Sequence, residues 1–171
     1  MLDVSDAILR LGLAALIGGT VGLNRDLHGK PTGIRTLGLV ALGSACVTFV
    51  AIDATAQLGA QIADQSAALS RIMQGVLTGI GFLGVGVIIH EDAGHRVTGL
   101  TTAACIWLTA CIGMVCGTGS WKILVVALPL LAILLIAGGP IEKALHRRWV
   151  KTDAPGPREV ITAPDGGRGA T

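Results

Sequence analysis

The chain has 171 residues, of which 51% are hydrophobic, 14% are charged and 3% are aromatic, and its formal net charge is +2. A soluble domain usually carries about 25% charged residues. The composition therefore excludes an ordinary water-soluble protein and predicts a domain that lies in a lipid bilayer. The small net charge and the scarcity of aromatic side chains also exclude a nucleic-acid-binding surface, which needs basic patches and stacking platforms.

Five apolar segments follow one another along the chain, each near the length of about 20 residues that a helix needs to cross the hydrocarbon. They predict an all-α integral membrane bundle over residues 1–139, with spans at approximately 7–23, 34–52, 69–89, 100–116 and 123–138. From residue 140 the sequence becomes basic and then rich in proline and glycine. This composition predicts a largely disordered cytoplasmic tail over residues 140–171.

The distribution of charge predicts the orientation in the membrane. Lysine and arginine collect in the first loop, the third loop and the tail, whereas the amino terminus and the second loop carry aspartates. Positive residues remain preferentially on the cytoplasmic side. We therefore expect an amino terminus outside the cell and a carboxyl terminus in the cytoplasm.

Polar residues inside the apolar segments are candidates for function, because they are costly at membrane depth. Arg10 lies near the outer end of the first span, where snorkelling to the interface is the simplest explanation. Arg71, Gln74 and Thr78 follow one another at i, i+3 and i+7 and share one face of the third span. This stripe fits either a water-filled path with substrate contacts or hydrogen bonds to a neighbouring helix.

The third span is also dense in glycine. Residues 79–84 match the pattern G-x-G-x-x-G, but no strand precedes them, so dinucleotide binding is rejected and no cofactor is predicted. A small-xxx-small spacing predicts close helix packing, either within the chain or in a homodimer; it occurs at Gly18/Gly22, Gly75/Gly79 and Gly113/Gly117. The glycine density also suggests a helix that kinks or unwinds at a binding site.

The first loop is a second concentration of polar residues. Arg25 and Lys30 are expected to face anionic lipid headgroups. Arg35 begins the second span, next to Thr36. We expect Arg35 either to pair with Asp26 or to hold a phosphate or carboxylate in its guanidinium fork.

Catalytic and metal-binding patterns are missing from the sequence. No Ser/His/Asp arrangement, acidic pair or HExxH motif occurs, so we expect the protein not to be an enzyme. Four cysteines without metal-ligand spacing predict buried free thiols and no metal site, namely Cys46, Cys105, Cys111 and Cys116. A polar cluster in the third loop is interpreted as a solvated turn rather than a weak divalent-metal site; it consists of His90, Glu91, Asp92 and His95.

Several blocks of residues occur in a characteristic order. They are Gly22-Leu-x-Arg25-Asp26, Gly33-x-Arg35-Thr36-Leu37, Arg71, Gly79-Ile-Gly-Phe-Leu-Gly-x-Gly86 and Gly99-Leu-Thr-Thr-Ala-Ala104 with Trp107. In this order they resemble the MgtC/SapB family of bacterial membrane proteins, over roughly residues 22–119. Together with the polar stripe, these blocks supply the candidate functional residues: Arg25, Asp26, Gly33, Arg35, Thr36, Arg71, Gln74, Thr78, Gly79, Gly81, Gly84, Gly86, Gly99, Thr101, Thr102 and Trp107.

The resemblance implies a multi-pass protein of the bacterial cytoplasmic (inner) membrane with a role in magnesium homeostasis. Members of the family are tied to the survival of pathogens inside host cells, and some are held to act on the F-type ATP synthase. Asn24 and Asp26 stand where the family often has glutamates, which leaves one carboxylate where two are usual. The soluble carboxyl-terminal domain of longer members is expected to be absent.

From these observations we expect a regulator of another membrane protein, such as the F-type ATP synthase. The apolar spans hold no interior carboxylate, whereas Mg²⁺ usually binds one or two carboxylates and several waters. The alternative is a secondary transporter or channel for Mg²⁺ or another small solute. In that case the residues along the path are expected to be Arg71, Gln74, Thr101 and Thr102.

Overall fold

The computed structural model describes residues 3–59, 61–89 and 98–152, and every regular element in this part of the chain is a helix. The helices are Val4–Leu27 (α1), Ile34–Gln57 (α2), Ile62–Ile89 (α3), Leu100–Thr118 (α4) and Trp121–Thr152 (α5). All five are long and apolar enough to cross a bilayer. The predicted all-α membrane bundle is therefore confirmed, and each helix extends beyond its predicted span because backbone hydrogen bonding continues past the apolar stretch.

The chain divides into two units, Met1–Ala127 and Leu128–Thr171. The first unit contains α1 to α4 and the beginning of α5. The described part of the second unit is the remainder of α5, a continuous helix that includes Pro129 and Pro140. The predicted tail therefore begins within a helix, and residues 153–171 lie outside the described part of the chain.

Two glycines set the length of α4. Gly99 precedes the helix with a φ of 85°, and Gly119 follows it with a φ of 69°. For residues other than glycine, this left-handed conformation costs roughly 1–2 kcal/mol because the Cβ crowds the backbone. A Cβ at Gly99 would also lie 3.0 Å from the Val87 carbonyl oxygen of α3. Only glycine therefore satisfies both the backbone conformation and the close approach at the start of α4.

Helices α1 and α2 meet along a seam that depends on two glycines of α1. A Cβ at Gly18 would lie 2.5 Å from the Leu37 carbonyl oxygen and 2.6 Å from the Ala41 Cβ. A Cβ at Gly22 would lie 2.6 Å from both the Gly33 carbonyl oxygen and the Ile34 Cα. The small-xxx-small spacing thus brings the two backbones into direct contact, as expected for helices that associate in lipid.

A second seam joins α2 to α4. A Cβ at Gly113 would collide with the Ala41 carbonyl oxygen, and one at Gly117 would lie 2.6 Å from the Ala45 carbonyl oxygen. Leu37, Ala41 and Ala45 are fully buried. Helix α2 is therefore enclosed between α1 and α4, and the prediction of glycine-mediated packing is confirmed for these two pairs.

Candidate functional site

Arg25 is a buried arginine near the end of α1, with only 4% of its surface exposed. Its Nη2 donates to the Thr102 Oγ1 of α4 at 2.6 Å and to the Pro31 carbonyl oxygen at 3.0 Å. Its Nε donates to the same carbonyl oxygen at 3.3 Å, and its Nη1 donates to the Cys105 Sγ at 3.3 Å. The prediction that Arg25 faces lipid headgroups is therefore wrong. Lys30 is exposed.

The register of α4 explains why Thr102 and Cys105 receive the guanidinium. They stand three positions apart and share one face of the helix, and both are buried. Thr101 points to the other side and is exposed. Sequence reasoning missed Cys105 and the Pro31 carbonyl as acceptors; the one available signal was the shared face of Thr102 and Cys105.

Asp26 has a structural contact in the loop between α1 and α2. Its Oδ2 accepts a hydrogen bond from the Ile34 backbone nitrogen at 2.9 Å, which satisfies a free amide in the first turn of α2. A Cβ at Gly33 would collide with this carboxylate. Arg35 and Thr36 are exposed. The expected pairing of Arg35 with Asp26 does not occur within the described residues.

A second arginine of α1, Arg10, contacts α4 at its other end. It forms an ion pair with Asp6 at 2.9 Å, and its Nη1 donates to the Gly117 carbonyl oxygen at 3.0 Å. Its guanidinium carbon lies 5.7 Å from the centre of the Phe49 ring of α2. A cation near the last carbonyls of a helix is favourable. Arg10 therefore has a tertiary role that the snorkelling explanation did not include.

Together the two arginines attach α1 to both ends of α4. They are separated by about 22 Å along α1, at a rise of about 1.5 Å per residue. Arg25 reaches the first turn of α4 and Arg10 reaches the last turn. This arrangement fixes the longitudinal position of α4 relative to α1.

Replacing Arg10 by glutamine is expected to loosen the carboxyl end of α4 while the bundle remains folded. The charge-assisted bonds to Asp6 and Gly117 are lost, which should lower the free energy of unfolding by about 1 kcal/mol. Amide hydrogen exchange at residues 117–120 should become faster. The control is Lys122→Gln, because Lys122 is exposed and makes no hydrogen bond or ion pair within the described residues. Equal effects of the two changes would contradict the assigned role of Arg10.

Helix α3 places a stripe of polar residues and four of its glycines away from the bundle. Arg71, Gln74 and Thr78 are exposed. A Cβ added at any of four glycines would meet no atom within 4 Å; these are Gly75, Gly79, Gly81 and Gly86. We define the outer α3 face as Arg71, Gln74, Gly75, Thr78, Gly79 and Phe82. Phe82 is 80% exposed.

The opposite side of α3 is apolar and turns towards the bundle. Its half-buried residues are Ile72, Met73, Val76, Leu77 and Ile80. Gly84, also on this side, is buried, and a Cβ there would lie 3.5 Å from the Ala103 Cβ of α4. A helix that meets lipid normally turns its apolar side outwards. Between Arg71 and Gly79 the orientation of α3 is the reverse of that expectation, whereas further along the helix the exposed residues include the apolar Phe82, Leu83 and Val85.

The Gly75/Gly79 pair of α3 does not act as predicted within the described part of the chain. The Gly75/Gly79 pair packs against no helix of the described residues, unlike the pairs in α1 and α4. The helix also continues without interruption from Ile62 to Ile89, so the glycines do not break it. Close packing by Gly75/Gly79 therefore remains a prediction only for a contact with another chain.

The residues expected along a transport path do not line one interior surface. Arg71, Gln74 and Thr101 are exposed, whereas Thr102 is buried against Arg25. Trp107, on α4, is 46% exposed. The buried polar or charged residues in the described part of the chain are Arg25, Ser44, Thr48, Thr102 and Thr109. This set contains a cation and hydroxyl groups, and no carboxylate.

Metal ligands do not gather in the described part of the chain, where no three His, Cys, Asp or Glu side chains come together. The four cysteines are free; Cys105 and Cys116 are buried and Cys111 is half-buried. Cys46 is exposed on α2, so the prediction of burial is wrong for this thiol. The cluster of His90, Glu91, Asp92 and His95 lies outside the described residues.

Comparison with known proteins gives a consistent family assignment. The family model described as MgtC family matches residues 11–144. The chain is 46% identical to Protein SrpB of Synechococcus elongatus over 120 residues, which are 67% of this chain and 64% of that protein. It is 40% identical over 119 residues to the Escherichia coli protein named putative magnesium transporter YhiD, covering 70% of this chain and 54% of that protein.

Protein MgtC of Salmonella typhimurium is 36% identical over 140 residues, covering 82% of this chain and 54% of that protein. The chain therefore spans about half to two thirds of the length of these relatives. No solved structure matches the chain.

Proposed function

Because the chain belongs to the MgtC family, we propose that it is a magnesium-linked protein of the bacterial cytoplasmic membrane that regulates another membrane protein. The link to magnesium is supported by the name of the Escherichia coli relative, putative magnesium transporter. The F-type ATP synthase is the candidate partner, on the basis of the family resemblance. The amino terminus lies outside and the carboxyl terminus in the cytoplasm, in agreement with the distribution of basic residues.

The observation that carries this proposal is the outward direction of the polar and small residues of α3 between Arg71 and Gly79. If lipid covered the outer α3 face, the Gln74 amide would lie in hydrocarbon without a hydrogen-bond partner, which is unfavourable. The Thr78 hydroxyl is less costly there, because it can donate to a carbonyl of its own helix. Gly75 and Gly79 would present a shallow groove to lipid while bulky side chains pack inwards. A helix of another protein would satisfy both features, through polar contacts and close backbone approach.

The side chains buried between the described helices favour a regulator over a Mg²⁺ carrier. Mg²⁺ prefers octahedral oxygen coordination, usually with one or two carboxylates and several retained waters. The buried charged group of the described residues is the cation Arg25, which would repel Mg²⁺. Backbone contacts at Gly18 and Gly113 hold α2 in close contact with α1 and α4. The absence of enzyme activity remains a prediction.

We expect the variant Gly79→Leu to fold but to lose function. In the bacterium that produces this protein, a strain lacking the gene should grow poorly at limiting Mg²⁺, and Gly79→Leu should fail to restore growth. The added side chain has open space at its attachment point, so it fills the outer α3 face without disturbing the bundle. The matched control is Gly43→Leu, because Gly43 is an exposed glycine of α2 with no atom near its added Cβ.

A regulator is distinguished from a carrier by the rate of Mg²⁺ entry into liposomes that hold the purified protein and an internal Mg²⁺ indicator. The regulator predicts a rate of Mg²⁺ entry equal to that of protein-free liposomes. Mg²⁺ entry faster than in protein-free liposomes, whether or not Gly79→Leu changes it, would overturn the proposal in favour of transport. Equal growth with Gly79→Leu and Gly43→Leu would also contradict it.

A further inference from the structure

We propose that the membrane helix which docks on the outer α3 face carries a carboxylate opposite Arg71; this inference rests on the proposed function. Arg71 is exposed and makes no hydrogen bond or ion pair within the described residues. Its guanidinium is permanently charged and offers a planar fork that fits a carboxylate. The nearby Gln74 and Thr78 are neutral, so Arg71 supplies the charge of this face.

The depth of Arg71 places it where a partner's side chain can reach it. From Arg71 to Ile89, α3 rises about 27 Å, close to the hydrocarbon thickness of about 30 Å. Arg71 therefore lies near one boundary of the hydrocarbon, with Gln74 about 4.5 Å deeper. A carboxylate at the level of Arg71 would be partly desolvated, and a bidentate pair there is stronger than one in water.

A second copy of this chain does not supply that carboxylate. In a two-fold pair about an axis normal to the membrane, each α3 residue near the axis meets its own equivalent, so Arg71 would face Arg71. The acidic residue on the same side of α3 is Asp64, which is exposed. It lies seven positions earlier and therefore about 10 Å away along the helix. The charge pattern consequently favours a different protein.

A lipid phosphate would pair with Arg71 but with no other residue of the outer α3 face. It leaves the Gln74 amide without a partner deeper in the membrane, and it leaves the Gly75/Gly79 groove empty. A helix with a carboxylate near one end and small or polar residues further along matches the whole outer α3 face. The partner is thus identified by its chemistry as an acidic transmembrane helix.

Synthetic transmembrane peptides test this inference on the full chain in phosphatidylcholine vesicles. The peptides share a leucine/alanine sequence and differ in one residue at the depth of Arg71, which is aspartate, leucine or lysine. Energy transfer from the three tryptophans of the protein to a dansyl group on the peptide measures binding. The aspartate peptide should bind about tenfold more tightly than the leucine peptide, as expected for one interhelical polar contact. The lysine peptide should bind most weakly.

Charge reversal provides the decisive control. Arg71→Glu should favour the lysine peptide over the aspartate peptide, and Arg71→Leu, which removes both the charge and the donors, should not prefer the aspartate peptide over the leucine peptide. Arg35→Glu should behave as the unmodified chain, because Arg35 is an exposed arginine of α2 without a partner within the described residues. Helix content by circular dichroism verifies that each variant is folded.

Different results would contradict the acidic partner of Arg71 and the regulatory function. Equal binding of the aspartate and leucine peptides, or a preference that Arg71→Glu does not reverse, would overturn the acidic partner. If Gly79→Leu still abolished growth at limiting Mg²⁺, the regulatory function would stand. Normal growth with Gly79→Leu would instead contradict the proposed function.

Discussion

Replacing Gly113 by alanine is expected to destabilise the bundle by about 2–3 kcal/mol, since overpacking a tight contact typically costs about 1–3 kcal/mol. The added methyl group would collide with the Ala41 carbonyl oxygen, and a backbone atom of a buried helix cannot move aside as a flexible side chain can. α2 and α4 must therefore separate. Reversible unfolding in mixed detergent micelles, followed by far-ultraviolet circular dichroism, measures the loss.

Gly79→Ala is the matched control for this change. It makes the same substitution at a glycine of the same spacing motif, but the added methyl group meets no atom within 4 Å. Its free energy of unfolding should stay the same or rise by up to about 1 kcal/mol, because alanine favours a helix more than glycine does. Equal losses in the two variants would mean that the α2–α4 seam is not the tight contact described above.

Replacing Arg25 by leucine is expected to lower the free energy of unfolding by about 3 kcal/mol. The Pro31 carbonyl and the Thr102 hydroxyl lose a charged donor, and each buried polar group left unpaired costs about 1–3 kcal/mol. Removal of a buried charge acts in the opposite direction because it relieves desolvation. We expect the lost hydrogen bonds to dominate, because Arg25 has acceptors at three positions in the loop and α4.

Arg25→Lys separates charge from geometry. Lysine keeps the positive charge, but a single ammonium group cannot reproduce the fork that reaches Pro31, Thr102 and Cys105. This variant should also lose stability, by about 2 kcal/mol. The control Arg35→Leu should change the free energy of unfolding by less than about 0.5 kcal/mol, as for most exposed positions. Increased stability of Arg25→Leu would show that Arg25 is retained for function rather than for folding.

The number and type of helices could be predicted because apolar length is a local property of the sequence. The packing of the glycine pairs could be predicted only in part. The spacing is identical at Gly18/Gly22, Gly75/Gly79 and Gly113/Gly117, yet only the first and last pairs face α2. Which side of a helix meets its neighbours depends on the arrangement of all helices, and the spacing of one pair does not contain that information.

The environment of Arg25 was unpredictable for a related reason. Its acceptors Thr102 and Cys105 lie on a helix that is distant in sequence, and its loop acceptor is a backbone carbonyl, which leaves no residue pattern. The polar stripe of Arg71, Gln74 and Thr78, by contrast, depends on helical periodicity alone and occurs as expected on one face. That this stripe points away from the other helices depends on how the helices pack, which the periodicity of one helix does not determine.

Photo-crosslinking from successive positions of α3 in native membranes tests the central claim that the outer α3 face binds another membrane protein. The crosslinking residue is placed at Gln74, Thr78 and Phe82, and at the inward positions Met73 and Leu77 for comparison. We predict one and the same membrane protein, with the F-type ATP synthase as the candidate, at all three outward positions, and its loss when Gly79→Leu is added. Inward positions should give no such product. Products that contain only lipid or only this chain at the outward positions would contradict the account.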